Sequence, residues 1–521
     1  MSADTPKPSE KTKLSPAEEL RQRMDVARRG GHEKYHMRLH EAGKLFVRER
    51  LDRLLDPGTM VEEGLLARCV DGDLAADAVV TVTGKIGGRH VAIMANDMTV
   101  KAGAWGRLTI QKIQRIQEIA RDAEIPMLYL VDSAGARLDE QFDIFINRTH
   151  AGRIFHNQIL LSGVVPQICV LFGPSPAGSA YIPAFCDLVI MVDGHASAYL
   201  GSPRMSEMAT GEKVTMEEMG GARMHCSVSG LGDVLVADEE EALAVLTRHL
   251  SYMPRCWREA TPPAAARPPA DGKPIDELIP PEQNRVFDMQ RVIDRLVDEG
   301  SFFEIKRLFA PELITGLARL DGRVIGVLAN QPKVKGGVLF GDSSDKGARF
   351  VWLCNAFNIP LLFLADVPGF MIGSQVERQG IIRHGAKLLF AIAEATVPKI
   401  SVIVRKAYGA GYMAMNGGSF LPDACIALPT AKLAIMGPEA AVNAIHLNTI
   451  MALEGEARAA FIKEKRREYE EQIDIYRIAS EFFIDAVVPG SSLREELCRR
   501  FETFAQKPRR PVRRWNGVIP G

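Results

Sequence analysis

The 521-residue sequence predicts an α/β protein whose fold is built twice over. Three observations carry this: an internal repeat, a regular alternation of short apolar runs with longer amphipathic ones, and a Pro/Ala-rich stretch between the two copies.

The repeat is long and keeps one register. "GGRHVAIMANDMTVKAGAW" from Gly87 aligns with "DGRVIGVLANQPKVKGGVL" from Asp321, an offset of 321 − 87 = 234. The same offset pairs Arg89 with Arg323, Asn96 with Asn330 and Lys101 with Lys335. It also pairs "IPMLYLVD", Ile125 to Asp132, with "IPLLFLAD", Ile359 to Asp366. Between the copies, "EATPPAAARPPADGKP" (Glu259 to Pro274) has no hydrophobic period and reads as a linker. The expected division is a disordered or extended N-terminal segment over 1–30, an N-terminal domain over 31–264 and a C-terminal domain over 265–521.

Within each half, apolar runs such as "PMLYLVD" and "PLLFLAD" follow the longer segments "LTIQKIQRIQEIARDAE" and "KGARFVWLCNAFN". That order predicts β-α-β units with buried, largely parallel strands. Outside the repeat, the stretch "EARAAFIKEKRREYEEQIDIYRIASEFF" from Glu456 predicts one long charged helix. The basic tail "KPRRPVRRW", Lys507 to Trp515, reads as solvated or bound to a neighbouring subunit.

Composition narrows the function classes. Lys+Arg 64 against Asp+Glu 65 leaves a net charge of -1, which provides no general attraction for nucleic acid or an anionic membrane. The eight cysteines are scattered without a C-x-x-C pair, so neither a zinc ribbon nor a dithiol redox site is expected, and no metal site is. Without a signal peptide or an apolar run of membrane-spanning length, a cytoplasmic location follows.

The stretch "VIVRKAYGAGYMAMNGG", Val402 to Gly418, fits the G-x-G-x-x-G/A dinucleotide pattern through Gly409, Gly411 and Ala414. That reading requires the first Gly directly after a strand and an acid about 20 residues on. Here "RKAY" separates the strand "ISVIV" from Gly409, and Asp423 comes too early. The repeat aligns Ala177-Gly178, in "ICVLFGPSPAGSAYIPAF", with Ala410-Gly411 at an offset of 233, and sets Pro176 opposite Gly409. What both copies share is strand, turn, Ala-Gly, helix. Backbone N–H groups in such a turn suit an oxyanion and hence enolate chemistry; close packing of helix on strand is the other reading. His195, His225 and His384 read as structural histidines. No Ser/His/Asp signature, H-E-x-x-H or P-loop is present.

The motifs "RKAYGAGYMAM", "DVPGFMIG", "IIRHGAKLLFAIAEATVPKISVI", "ANQPKVKGG" and "DSAGARLDE" together resemble the carboxyltransferase (β) subunits of biotin-dependent acyl-CoA carboxylases of the propionyl-CoA and methylcrotonyl-CoA type. The resemblance runs from about Gly43 into the segment that begins at Phe483. It implies tandem crotonase-like (ClpP-like) domains, each a twisted sheet flanked by helices, in a homo-oligomer, usually a hexamer. Acyl-CoA would lie on the N-terminal half of one subunit and biotin on the C-terminal half of its partner, with active sites at the dimer interface.

Carried over by position, Ala177 and Gly178 would hold the thioester oxygen, and Ala410 and Gly411 the ureido oxygen of biotin. Ser133, Gly135, Ala136, Arg137 and Tyr181 would contact the acyl-CoA, with Arg137 meeting either a phosphate or a carboxylate. Asp366, Val367, Pro368, Gly369, Phe370 and Tyr408 would lie on the biotin side. Met413 stands where propionyl-type enzymes carry an acid, which implies a different or broader acyl range. The family mechanism needs no protein base, because carboxybiotin releases CO2 and the biotin anion takes the substrate proton. No A-M-K-M biotinylation site or ATP-grasp half is present, so a separate biotin carboxylase and biotin carboxyl carrier are implied. The expected activity is carboxyl transfer from carboxybiotin to the α or γ carbon of an acyl-CoA. The alternatives are a biotin-dependent decarboxylase or transcarboxylase, and a biotin-independent crotonase-type hydratase or isomerase.

Overall fold

The apolar runs of the repeat become two sheets in the computed structural model, which describes residues 14–70 and 74–507. The first half supplies β1 (Val61–Glu63), β2 (Val79–Ile86), β3 (Arg89–Asn96), β4 (Met127–Val131), β5 (Gln167–Leu171), β6 (Pro174–Pro176), β7 (Leu188–Val192), β8 (Ser197–Tyr199) and β9 (Val234–Val236). The second supplies β10 (Phe303–Ile305), β11 (Leu313–Leu320), β12 (Arg323–Asn330), β13 (Leu361–Val367), β14 (Lys399–Tyr408), β15 (Ala424–Ala427), β16 (Lys432–Ala434) and β17 (Ala486–Val487). The sheet orders are β1-β2-β3-β4-β5-β7-β9 and β10-β11-β12-β13-β14-β15-β17, with β16 beside β14 and β6 beside β8. Each sheet opens with antiparallel strands and continues parallel from β3 and β12 onward.

Sheet register reproduces the repeat and then departs from it. Val79 faces Asn96 as Leu313 faces Asn330, an offset of 234. Met127 and Leu361, which open β4 and β13, keep that offset. Their partners on the next strand are Gln167 and Lys399, and 399 − 167 is 232. The first half therefore carries two extra residues between these strands.

The helix Arg107–Ala123 turns Ile110, Ile113, Ile116 and Ala120 inward, the spacing of one helical face, onto the fully buried strand β4. Gly341–Ala356 is its counterpart in the second half. The halves are not separate beads. One apolar cluster joins Leu51, Leu128 and Ile190 of the first to Leu313, Phe350 and Phe363 of the second. The Pro/Ala-rich linker is strapped down as well. Arg319 donates to the carbonyls of Pro262 (2.9 Å) and Gly322 (3.0 Å), and Asn358 Nδ2 to those of Trp257 (2.8 Å) and Glu259 (2.7 Å).

Two expectations are corrected. The segment 1–30 is not extended throughout, because Pro16–Arg29 is a helix closed at its start by a reciprocal Ser15–Glu18 capping box. The charged stretch from Glu456 is two helices, Gly455–Gln472 and Ile475–Ser480, since Asp474 turns out of the first and caps the second by accepting from the Tyr476 N–H (2.9 Å). Beyond Lys507 the basic tail lies outside the described residues.

Sequence reasoning did not anticipate His249. It is fully buried against Phe303, ring centroids 5.5 Å apart, and among the described residues neither ring nitrogen has a hydrogen-bond partner. Burial pushes its pKa down from 6.5 to about 4. The unfolded chain thus takes up a proton that the folded one refuses, and stability present above pH 6.5 is lost as pH falls toward 4. The unfolding free energy should drop by about 2 kcal/mol between pH 7 and pH 5 from this group, and His249→Leu should remove that slope in urea titrations at the two pH values.

Candidate active site

Strand β14 runs through Tyr408, so "RKAY" is strand and Gly409 follows it directly. The spacer inferred from sequence does not exist. The parallel pairs Pro174–Ser197 and Lys406–Lys432 carry the 232 offset through Pro176 and Tyr408. The next residues, Ala177 and Gly409, share a left-handed backbone, φ 53° and 54°. The equivalences are therefore Ala177–Gly409, Gly178–Ala410, Ser179–Gly411 and Tyr181–Met413, one step from the sequence alignment. Pro176 stands opposite Tyr408, not Gly409. Both halves thus present one unit: a strand end, a left-handed residue, then two small residues opening a helical turn whose first N–H groups lack intrahelical acceptors.

Each turn is braced by the loop that follows the preceding strand. A Cβ on Gly411 would sit 2.8 Å from Gly369 Cα and 2.8 Å from Val367 Cγ2, so only glycine permits that approach. In the first half Gly135 (φ 96°) meets Pro176, with 3.1 Å from its would-be Cβ to Pro176 Cγ. Matching backbone bonds hold both loops. Trp105 N–H donates to Gly135 O (2.7 Å) and Arg137 N–H to Trp105 O (2.9 Å); Leu339 N–H donates to Gly369 O (3.1 Å) and Met371 N–H to Leu339 O (2.8 Å). The Ser133 hydroxyl is consumed internally, donating to Gly103 O (2.8 Å) and accepting from Gly135 N–H (3.1 Å).

Several expected contacts prove to be framework. Arg137 is buried and pairs with Asp77 (2.6 Å) and Glu140 (3.1 Å), so its carboxylate reading holds and it is withdrawn from any phosphate. Asp366 is corrected in the same sense. Fully buried, it accepts from Arg405 Nη2 (2.9 Å) and Lys406 N–H (2.9 Å) and has no face toward a ligand. Tyr408 lies behind its turn, its hydroxyl bonded to Gln283 and its pKa pushed by burial to about 12. Val367 is buried against Gly411, while Pro368, Gly369 and Phe370 stay half-buried at the rim. Exposed at the two turns are Ala136, Ala177, Gly178, Tyr181, Ala410 and Met413.

The structure adds an aromatic wall that no motif signalled. Phe155 and Phe185 flank Tyr181 at 6.2 and 6.3 Å between ring centroids. Among the described residues Phe155 is also the one neighbour that a Cβ on Gly178 would meet, at an ordinary 3.7 Å. Of the three histidines, His225 bonds Ala198 O and Ser229 Oγ (2.7 Å each), and His384 Nδ1 bonds Asp345 (2.8 Å). His195 is exposed.

Comparison with known proteins now adds a family. The carboxyl transferase domain family matches residues 38–519. An uncharacterized carboxylase of Bacillus subtilis, YngE, is 59% identical over 96% of this chain and 98% of its own length. The propionyl-CoA carboxylase beta chain of Roseobacter denitrificans is 39% identical, covering 94% of this chain and 96% of that one. Transcarboxylase 12S, solved with methylmalonyl-coenzyme A and methylmalonic acid bound, superposes with a TM-score of 0.92 at 36% identity, over 98% of this chain and 100% of that one.

Ala177 carries a Cβ where its counterpart Gly409 has none, a conformation that costs an L-residue about 1–2 kcal/mol. Part of that cost is returned on mutation as glycine's added backbone entropy. Ala177→Gly should raise the unfolding free energy by up to about 1 kcal/mol in thermal or urea denaturation while leaving turnover intact.

Proposed function

The chain belongs to the carboxyl transferase family and is a carboxyltransferase enzyme of the biotin-dependent acyl-CoA carboxylase type, and from that premise we propose how it works. It moves a carboxyl group from carboxybiotin, carried on a separate protein, to the α or γ carbon of an acyl-CoA. One observation supports this above all: a left-handed turn with exposed small residues closes a strand of each half at the same register.

In the first half, the N–H groups of the turn at Ala177, Gly178 and Ser179 receive the thioester oxygen as the substrate's acidified carbon becomes an enolate. In the second, those of Ala410 and Gly411 receive the ureido oxygen of biotin. Exposed Ala410, the absence of a side chain at Gly411, and the engagement of Lys406 by Asp366 leave a small, uncharged seat that suits a neutral ureido ring. When bound, carboxybiotin supplies the CO2 and the proton acceptor. The chain's own contribution is preorganised donors that need no reorientation as charge develops, each worth about 10²–10³ in rate. With Arg137 internal, CoA recognition falls to the loop backbone around Ala136, and the acyl group lies along Phe155 and Tyr181.

A hydratase or isomerase needs a carboxylate free to move a proton. The carboxylates that end β4 and β13 beside the turns, Asp132 and Asp366, are fully buried in ion pairs. That geometry favours carboxyl transfer, and the same donors serve it in either direction. A second copy would bring the acyl turn of one chain to the biotin turn of another. Exposed Phe142, Phe145 and Ile146 on the first half, and Ile435, Phe482 and Phe483 on the second, are apolar surface for such a contact. The solved transcarboxylase 12S is a hexamer. A biotin carboxylase with its carrier protein completes the reaction. Among the described residues no helix is long and apolar enough to cross a membrane.

The test is carboxylation or decarboxylation of acetyl-, propionyl-, butyryl-, methylcrotonyl- and longer acyl-CoAs with free biotin or a biotinylated carrier. Exchange with none of them refutes the reading. Gly178→Val is the clean site variant, because its backbone is ordinary and its surroundings open. It should fold and assemble normally but lose at least 10²-fold in kcat. Gly411 cannot serve, since any Cβ there strikes the backbone of Gly369.

A further inference from the structure

With Arg137 spent on Asp77 and Glu140, the acyl side has no positive charge assigned to the phosphates of coenzyme A. Comparing the two halves position by position supplies one. Lys101 and Lys335 hold the same place: each opens a short helical turn beyond β3 or β12, and each has φ 47°. Their surroundings differ. Lys335 Nζ stands 3.5 Å from the carboxylate of buried Glu312 and lies over the Phe340 ring, 4.4 Å from its centroid. The offset of 234 kept by the β2–β3 and β11–β12 registers puts Ala78 in place of Glu312 and Gly106 in place of Phe340. Lys101 has thus lost both partners. It is exposed, and among the described residues no carboxylate or ring engages it. Arg107 stands where the second half has Gly341; it is exposed too, and only its backbone N–H is used, donating to Glu140 (2.9 Å).

We infer that Lys101 and Arg107 receive the phosphates of coenzyme A, an assignment that rests on the acyl-CoA reading of the first half. Their placement carries it. The segment from Lys101 to Arg107 is bonded along its length to the loop that braces the acyl turn: Ala134 N–H donates to Ala102 O (2.9 Å), the Ser133 hydroxyl to Gly103 O (2.8 Å), Trp105 N–H to Gly135 O (2.7 Å) and Arg137 N–H to Trp105 O (2.9 Å). The two cations therefore bracket that loop, one at each end of the bonded segment, at most about 20 Å apart along the chain. A ligand whose thioester reaches the turn has to leave past this loop, and its phosphates follow the thioester at the other end of the pantetheine arm.

Charge agrees. The carboxylates nearest Arg107, those of Asp77 and Glu140, are already engaged by Arg137 and Arg68, so they do not claim the two free cations. In the second half Asp342 takes the place of Leu108. Over positions 78, 101, 107 and 108 the acyl half has two cations and no acid, and the equivalent positions of the biotin half have one cation and two acids. That asymmetry, on a shared backbone, matches a polyanionic handle on one side and an uncharged ureido ring on the other. Lysine as a point charge and arginine as a planar fork both suit phosphate oxygens, and such charge-assisted bonds are roughly twice as strong as neutral ones.

The test is calorimetric titration of the full-length protein with coenzyme A itself, which needs no turnover. The double variant Lys101→Ala/Arg107→Ala should bind at least tenfold more weakly than the wild type at 50 mM NaCl. The charge-preserving Lys101→Arg/Arg107→Lys should stay within threefold of the wild type. Raising NaCl to 500 mM should weaken the wild type at least tenfold and the alanine variant less than threefold, because screening acts only where charge contributes. An alanine variant that binds as the wild type does, a wild type that binds no coenzyme A, or a charge-preserving variant that loses as much as the alanine one would each overturn the assignment. Failure of the proposed reaction reads differently: charge-dependent binding of coenzyme A in an enzyme that carboxylates and decarboxylates no acyl-CoA refutes the reaction and keeps the phosphate seat, whereas exchange with an unaltered Kd in the alanine variant does the reverse.

Discussion

The two candidate ligand turns depend on a buried carboxylate at the end of β4 and another at the end of β13. Asp132 is held by Lys44 (2.5 Å) and Arg50 (3.2 Å), and Asp366 by Arg405 (2.9 Å); none of the four residues that form the guanidinium pairs is more than 2% exposed. Burying charge is tolerable only because each is paired and hydrogen-bonded, and removing one partner of such a pair costs about 3–5 kcal/mol. The loops that brace the turns begin at these residues. Their ion pairs are the fixed points from which Gly135 reaches Pro176 and Gly369 reaches Gly411.

From those fixed points the proposed reaction leaves the chemistry to the backbone. Side chains that looked like ligand contacts, Arg137 and Asp366, are spent on holding loops, while the exposed residues are alanines and glycines with Tyr181 and Met413 beside them. This division has a physical logic. Backbone N–H donors in a turn braced from both sides hold their direction far better than a long charged side chain, and stabilising a developing oxyanion depends on that preorganisation. The repeat then places two such turns in one chain, and asymmetry enters through their surroundings: an aromatic wall around Tyr181, and an exposed Met at the equivalent 413.

The linker belongs to the same economy of restraint. With a shared core and a linker bonded to Arg319 and Asn358, the two halves cannot drift apart, and the relative placement of the two turns in one chain stays constant. That constancy matters if a second copy must match acyl turn to biotin turn across an interface.

Much of this was legible in the residues. The repeat at an offset of 234, the α/β alternation and the linker follow from periodicity and composition, because strands and helices impose their spacing on the chain directly. The motif resemblance pointed to the carboxyltransferase family, which the comparisons bear out. Tertiary structure decided what spacing does not encode. The two-residue slip that pairs Ala177 with Gly409 shows only in sheet register, since an insertion in a loop leaves the flanking motifs looking aligned. The roles of Arg137 and Asp366 turned on partners 60 and 39 residues away, Asp77 and Arg405, because whether a charge meets a ligand or a neighbour depends on burial and pairing, not on the motif that carries it.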